Sequence, residues 1–520
     1  MNCEPQVNGG DLDQIFAPYN RSDAPGLAVG VASRGRPVYR RAFGLASVEL
    51  PVSLTPTMRL RIGSTTKHFL CLIVLLLAEE GKLSLEDSPR RHLPELPVWA
   101  EAMTLRQLMS HTSGMRCSLD LIMQLSGISR PAPEGSQLKL LAQQDSVNFA
   151  PGESWSYNNG GYVLLTSIVE RLEGTPLAEV LRTRVFEPVG MTDTLLRPYD
   201  TDCVPNSASL HVPTLAGGFT RGIFGPPIGG EGGIASTVDD MLTWLAHMSN
   251  PKVGSAEAWA AMRTPLTSHG YGLGLSMGEY RGVRVIHHGG SVIGGSCQML
   301  KVIDHDLDII IMTNRSGVID PTALTEQIID ACVPDLAAKP DDATEAAPVT
   351  GDFYAAESGR FVRLFGQGGK QFGQVFAAMV PLTRGTSGDL SLRNITTDLR
   401  LAPTVADGEV RELELTEFGR SERLRRIAPP VERAAMTAGR YVCPSCDAVA
   451  EISVASEGQS LQVSGAYGSV AYGLEPVGPG LFLASTGNPL LPLGGLIEVE
   501  TGGFAFSSAR TRRLRFNHEA

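Results

Sequence analysis

The sequence predicts an α/β (α+β) leading domain, an antiparallel sheet covered by helices, followed by two small all-β, barrel-like domains. Three observations carry this reading. Strand-type runs open and close the first 335 residues, with helical periodicity between them. Composition breaks at residues 334–351, where Ala, Pro, Asp and Glu replace the hydrophobic pattern, and again at 428–438. Beyond the first break the chain is short strands and turns throughout. The expected domains are therefore 1–335, 350–428 and 436–520, since 520 residues exceed what one core of about 100–250 residues holds.

Taken in order, residues 27–45 alternate in β-type runs around the turn Arg34-Gly35-Arg36 and read as an early hairpin. After Ser64 the period changes: Phe69, Leu72, Ile73, Leu76 and Leu77 recur at helical intervals and Gly81 supplies a stop. Ser64 and Lys67 are thus expected in the first turn of a buried helix. Further helices are expected near 105–109, 162–172, 177–185 and 237–247, and strands at 271–276, 283–287 and 296–314. Within the last segment, residues 307–312 read as a fully buried strand. In the C-terminal part, Gly439-Arg440-Tyr441 echoes Gly359-Arg360-Phe361, as two similar barrels would.

Lys plus Arg number 44 against 55 Asp plus Glu, a formal charge of −11, so a nucleic-acid partner is not expected. The arginine clusters at 420–426 and 510–515 read as solvated strand or turn faces. Residues 1–13 lack the basic-then-apolar pattern of a secretory leader, so a cytoplasmic location is expected. The longest apolar run, 69–78, is about half of the roughly 20 residues that span a bilayer, so no membrane partner is expected. The eight cysteines are scattered, and Cys443-Pro-Ser-Cys446 lacks the second pair that a four-sulfur zinc site needs. No metal and no cofactor is expected.

The chemistry concentrates in three places. Ser64-Thr65-Thr66-Lys67 puts a hydroxyl and an amine on one helical face, where a desolvated lysine takes the serine proton and creates a nucleophile. Helix N-terminal N–H groups favour the oxyanion that follows. Ser136-Gln137-Leu138-Lys139 has the same spacing, but its polar surroundings argue for Ser64, which follows Gly63 and precedes an apolar helix. Tyr157-Asn158-Asn159 offers a phenol to relay a proton and, in Asn159, an amide to hold a substrate amide; by itself it also reads as a tyrosine at a helix start. His287-His288-Gly289-Gly290-Ser291 ends a β-type run, with Gly290 admitting a substrate backbone and Ser291 lending an N–H to the oxyanion. Either histidine fits a His-x-Gly pattern.

Ser64-x-x-Lys67, Tyr157-x-Asn159 and His288-x-Gly290, in that order, resemble the three motifs of the penicillin-recognising serine hydrolases: class C β-lactamases, D,D-peptidases, related esterases and serine D-aminopeptidases. Residues 108–114 and 229–235 match supporting phrases, and the resemblance spans about 25–314. A histidine opening the third motif, where β-lactamases carry lysine, is similar to the D-aminopeptidases, as are the two trailing β domains. The segment from His288 through Gly294 to Cys297-Gln298 selects His288 over His287. The resemblance implies release of N-terminal D-residues from small peptide, amide or ester substrates, with Ser64, Lys67, Tyr157 and His288 catalytic and Asn159, Gly290 and Ser291 binding substrate. It also implies inhibition by β-lactams, a homodimer, and a loop of the last domain reaching the active site. That loop corresponds to Thr486, Gly487, Asn488, Pro489, Leu490, Leu491 and Pro492, and it lacks the carboxylate that the family presents to the substrate amine, leaving Asn488 to bind it. An esterase or β-lactamase-like hydrolase, and a non-catalytic sensor acylated at Ser64, are the alternatives.

Overall fold

The computed structural model describes residues 5–128, 130–339, 347–375, 378–385, 387–392, 399–417, 420–428, 435–456, 458–488 and 493–519. By contact the chain divides into two compact units. The first comprises Met1–Ser110, Pro131–Glu134 and Gly161–Lys339; the second comprises His111–Arg130, Gly135–Gly160 and Pro340–Ala520.

The first unit is built on a six-stranded antiparallel sheet, in spatial order Ser276–Tyr280, Val283–Val292, Gly295–Val302, Leu307–Thr313, Leu27–Ser33 and Arg36–Phe43. Both ends of the unit's sequence thus meet in one sheet. Leu307–Thr313 is buried at every residue, as a strand covered on both faces must be. Gly30 on the neighbouring strand makes room for the Val238–Ser249 helix, because a Cβ there would lie 2.5 Å from a Val238 methyl. That helix starts at Thr237, whose hydroxyl accepts from the Asp240 N–H at 3.2 Å.

Lys67–Glu79 is the buried helix expected after Ser64, closed at Gly81 by Gly81 N–H to Ala78 O and Lys82 N–H to Leu77 O, each 3.0 Å. Ser64 itself lies one step earlier, in the tighter 3₁₀ turn Gly63–Thr66, so only Lys67 is α-helical. The strand expected at 271–276 begins only at Ser276. Its apolar alternation, Tyr271, Leu273 and Leu275, is buried, but Gly270, Gly272 and Gly274 interleave it and pack against backbone where a ladder would have to run. Residues 296–314 form two strands, with Ile303–His305 turning between them. Among the described residues no helix is long and apolar enough to cross a membrane.

The second unit contains two closed eight-stranded antiparallel barrels, from Gly351 to Arg426 and from Gly439 to His518. In each the first strand pairs with the last, Phe353 with Arg426 and Tyr441 with His518, which leaves no open edge. Inward positions alternate along the strands, as Leu413 and Leu415 or Ala448, Ala450 and Ile452 show. The sequence echo is displaced: Gly439-Arg440-Tyr441 opens the first strand of its barrel, whereas Arg360–Gln367 is the second strand of the other, whose true counterpart begins at Gly351-Asp352-Phe353. Part of the 334–351 linker, residues 340–346, lies outside the described residues. The Ser118–Ser126 helix inserts Leu121, Ile122 and Leu125 among the second barrel's core residues, and Tyr472 Oη donates to Gln124 O at 2.7 Å.

Candidate active site

In the first unit, the turn bearing Ser64 lies against the Val283–Val292 strand. A Cβ built on Gly290 would sit 1.8 Å from Ile62 O and 3.0 Å from Ser64 N, and one on Gly63 would sit 2.7 Å from Ser291 N. Glycine at both places is what lets the two backbones approach. Gly63 also has φ +53°, a left-handed conformation that glycine adopts without steric cost. Thr65 Oγ1 donates to His288 O at 3.2 Å and clips turn to strand. The result gathers the backbones of Ser64 and Ser291 at one place.

Lys67 opens the helix beneath them and is 0% exposed. Its Nζ donates to Ser64 Oγ at 3.1 Å and to Glu231 O at 2.5 Å, and it stands 5.2 Å from the centre of the Tyr162 ring. The carbonyl and the π face both favour the ammonium that forms when Lys67 accepts a proton. Glu231 sits in a glycine-rich turn fixed by Gly233 N–H to Gly229 O at 2.7 Å, Gly229 N–H to Glu231 Oε2 at 2.9 Å and Ile234 N–H to Thr66 Oγ1 at 3.1 Å. Arg61, buried with Asp200 at 2.6 Å, holds the same turn through Gly233 O at 2.8 Å. Sequence reasoning singled out residues 229–235 but not the Glu231 carbonyl, since a main-chain acceptor leaves no side-chain signature. The rival pair is separated by burial: Lys139 is exposed, so water keeps its ammonium solvated.

His288 is buried, and burial, then the charge of Lys67, push its pKa down to about 3. Gly289 O, 2.6 Å from Nδ1, can only accept, so Nδ1 carries the proton and Nε2 receives the Tyr271 O–H at 3.2 Å. The imidazole is therefore a neutral group, not the cation that a lysine would place there. His287, on the other face of the strand, is pushed by burial to about 4.

Within the second unit, Tyr157 and Asn159 stand at the start of the Asn159–Glu173 helix. His111 shapes this stretch, its carbonyl accepting from Ser156 N–H at 3.0 Å and its Nδ1 from Asn158 N–H at 3.1 Å. Its ring lies 4.3 Å from that of Tyr157. His111 takes φ +62°, and the phrase Ser110 to Gly114 is the tight turn that aims it. On the same tyrosine, the Arg510 guanidinium lies 4.9 Å from the ring centre. The 510–515 cluster is thus only in part a solvated face: Arg515 is exposed, but Arg510 and Arg512 are half-buried and Arg513 pairs with Glu498 at 2.5 Å. Sequence reasoning missed this role because nothing local links residue 510 to residue 157. Asn488 is exposed at the tip of the hairpin between Leu481–Ser485 and Gly494–Glu500, with Thr486 N–H bonded to Leu493 O at 3.1 Å and Gly487 N–H to Ser485 Oγ at 3.1 Å. Pro489, Leu490, Leu491 and Pro492 lie outside the described residues.

Residues 12–331, more than half of the chain, match the protein family described as Beta-lactamase. The D-aminopeptidase of Brucella canis is 28% identical over 452 residues, which is 84% of this chain and 82% of that protein. The D-aminopeptidase of Brucella anthropi is 30% identical over 305 residues, 56% of each. The octameric penicillin-binding protein homologue from Pyrococcus abyssi has a similar structure, with a TM-score of 0.56 at 20% identity, covering 89% of this chain and 100% of that one. The D-amino acid amidase from Ochrobactrum anthropi SV3, solved with L-phenylalanine amide, gives 0.54 at 22% identity over 62% of this chain and 97% of that one. At these identities the structural likeness is one of fold.

Proposed function

Because the chain belongs to the Beta-lactamase family, we propose that it is a serine hydrolase releasing N-terminal D-amino acids from small peptides, amides or esters through an acyl-enzyme on Ser64. The observation that carries the proposal is the 3.1 Å contact between Nζ of the fully buried Lys67 and Ser64 Oγ. Neutral Lys67 takes the Ser64 proton as Oγ bonds to the substrate carbonyl carbon, and the N–H groups of Ser64 and Ser291 receive the oxyanion. Tyr157, assigned by its place in the motif order, relays the proton that Lys67 took on to the departing amine, which returns Lys67 to its neutral form, and Asn159 holds the substrate amide. Water then attacks the ester, with Lys67 again the base, and free Ser64 is restored. His288 positions Tyr271 and holds the strand end as a neutral hydrogen-bonding group.

The preference for D-residues is supported by the D-aminopeptidases of Brucella, to which the chain is similar along most of its length. β-Lactams, whose strained amide acylates the same hydroxyl, are the proposed inhibitors. We propose 1–335 as the hydrolase domain, with the barrels at 350–428 and 436–520 attached to it. Rates on matched D- and L-alanine p-nitroanilides, a short-chain p-nitrophenyl ester and a chromogenic cephalosporin test the proposal. It expects D-selective anilide cleavage, lost in Ser64→Ala with the circular dichroism spectrum retained. Equal rates on both enantiomers, or ester cleavage alone, favour the esterase reading, which the absence of a carboxylate from residues 486–492 supports.

A further inference from the structure

The pair Cys443-Pro444-Ser445-Cys446, within the second unit, has no part in the proposed hydrolysis. Cys443 ends the first strand of its barrel and Cys446 ends the 3₁₀ turn Pro444–Cys446, which Asp447 closes in a left-handed conformation at φ +48°. With three residues per turn, side chains at i and i+3 eclipse, so the turn stacks the two sulfurs. They hydrogen-bond to each other. Gln144 Nε2 donates to Ser445 O at 2.7 Å and to Cys446 Sγ at 3.3 Å, while its Oε1 accepts from the buried Arg116 at 3.3 Å, which fixes the amide with its N–H towards the sulfur. Both thiols are buried, but Cys446 also lines a cavity of about 20 Å³, enough for a water-sized molecule. Exposed Lys139, Gln143 and Asp447 line the same cavity and open it to solvent, and Cys443 does not line it. The Cys443 S–H, then the Gln144 amide and the Arg116 charge, hold Cys446 below the usual thiol range against the effect of burial. The same thiol contact, with burial, holds Cys443 above that range.

We propose that Cys443 and Cys446 form a reversible dithiol–disulfide site that hydrogen peroxide oxidises, with Cys446 the attacking and Cys443 the resolving sulfur. A four-sulfur metal site needs a second such pair, which the sequence lacks, whereas two stacked thiols can join to each other. Peroxide is small enough for the cavity and meets Cys446 there. The Cys446 thiolate attacks one peroxide oxygen: an S–O bond forms, the O–O bond breaks, and the departing hydroxide takes up the proton that Cys446 had released. Cys443 sulfur then attacks the sulfenic sulfur: an S–S bond forms, the S–O bond breaks, and the Cys443 proton leaves with the oxygen as water. Two thiols and one peroxide thus give one disulfide and two waters, the sulfurs oxidised and the peroxide reduced. A thiol reductant reverses the result by exchange.

The test exposes the reduced, folded full chain to hydrogen peroxide for increasing times, quenches it in acid denaturant, labels the remaining thiols with N-ethylmaleimide and digests it with trypsin. The peptide from Tyr441 to Arg510 carries both thiols and no other cysteine, and the exposed Cys203 serves as internal standard. The Tyr441–Arg510 peptide is expected to lose both labels before Cys203 loses its own, and dithiothreitol is expected to restore them. Cys443→Ser is expected to stop at the sulfenic acid of Cys446, captured by dimedone in the quench, and Cys446→Ser to leave Cys443 labelled. A pair that outlasts Cys203, a loss that dithiothreitol does not reverse, or dimedone on Cys443 overturns the proposal. The wild-type time course decides it even where a variant does not fold.

Discussion

Lys67 is fully buried, with Ser64 Oγ 3.1 Å and Glu231 O 2.5 Å from its Nζ and the Tyr162 ring beside it. A residue so enclosed is there for its proton and not for solubility. Lys67→Met keeps the volume and the apolar stem, so the fold is expected to survive, since replacing a buried charge by an apolar group is often neutral or stabilising. The rate is expected to fall by about 10²- to 10⁴-fold, the usual value of a general base. Steady-state kinetics beside a thermal melt check this, and a variant within a few-fold of wild type contradicts it. At this scale the sequence was informative where a side chain does the work and silent where the backbone does. Ser64 and Lys67 were readable from spacing and apolar context, and the exposure of Lys139 separates the decoy physically. The Glu231 carbonyl was not readable, because every residue has one.

Among elements, the contact between the Gly63–Thr66 turn and the Val283–Val292 strand matters most, because it forms only if no side chain intervenes. Gly290→Ala puts a methyl 1.8 Å from Ile62 O, backbone that cannot rotate away. It is expected to destabilise by about 1–3 kcal/mol, the range for an overpacked site. It is also expected to lower kcat by at least about 10²-fold by shifting the Ser291 N–H. Urea unfolding and initial rates measure the two effects, and an active, fully stable variant would show that the strand does not set the oxyanion geometry. Helices with strong caps and long apolar stripes, such as Lys67–Glu79 and Val238–Ser249, were legible in the sequence. Ser118–Ser126 was not, since its apolar residues answer to a barrel far along the chain. Residues 271–275 were misread because glycine alternating with apolar residues imitates a strand's period.

For the whole molecule, the sheet assembled from both ends of the first unit and the two closed barrels follow from patterning that sequence displays. The grouping of residues 111–130 and 135–160 with the barrels does not, being a matter of contacts between distant segments. A global property follows from burial. His287 and His288 are held neutral, with pKa values of about 4 and about 3, and His247 is pushed to about 4, whereas an unfolded histidine titrates near 6.5. Below pH 6.5 the unfolded chain binds protons that the fold refuses, so stability is lost as pH falls towards 4, at about 1.4 kcal/mol per pKa unit and group. Asp308, raised by burial to about 6, and Asp240 and Glu170, also raised by burial, oppose this, while the buried His68 and the half-buried His211, both lowered, add to it. Melting temperature is expected to drop from pH 7 to pH 5, and a flat or rising profile would contradict the burial. The central claim, an acyl-enzyme on Ser64, is tested most directly by intact-protein mass spectrometry after brief exposure to a β-lactam or an activated D-alanyl ester, followed by peptide mapping. The account predicts one added acyl group, on Ser64 and absent from Ser64→Ala. Label on Ser136 or elsewhere, or undiminished hydrolysis by Ser64→Ala, would contradict it.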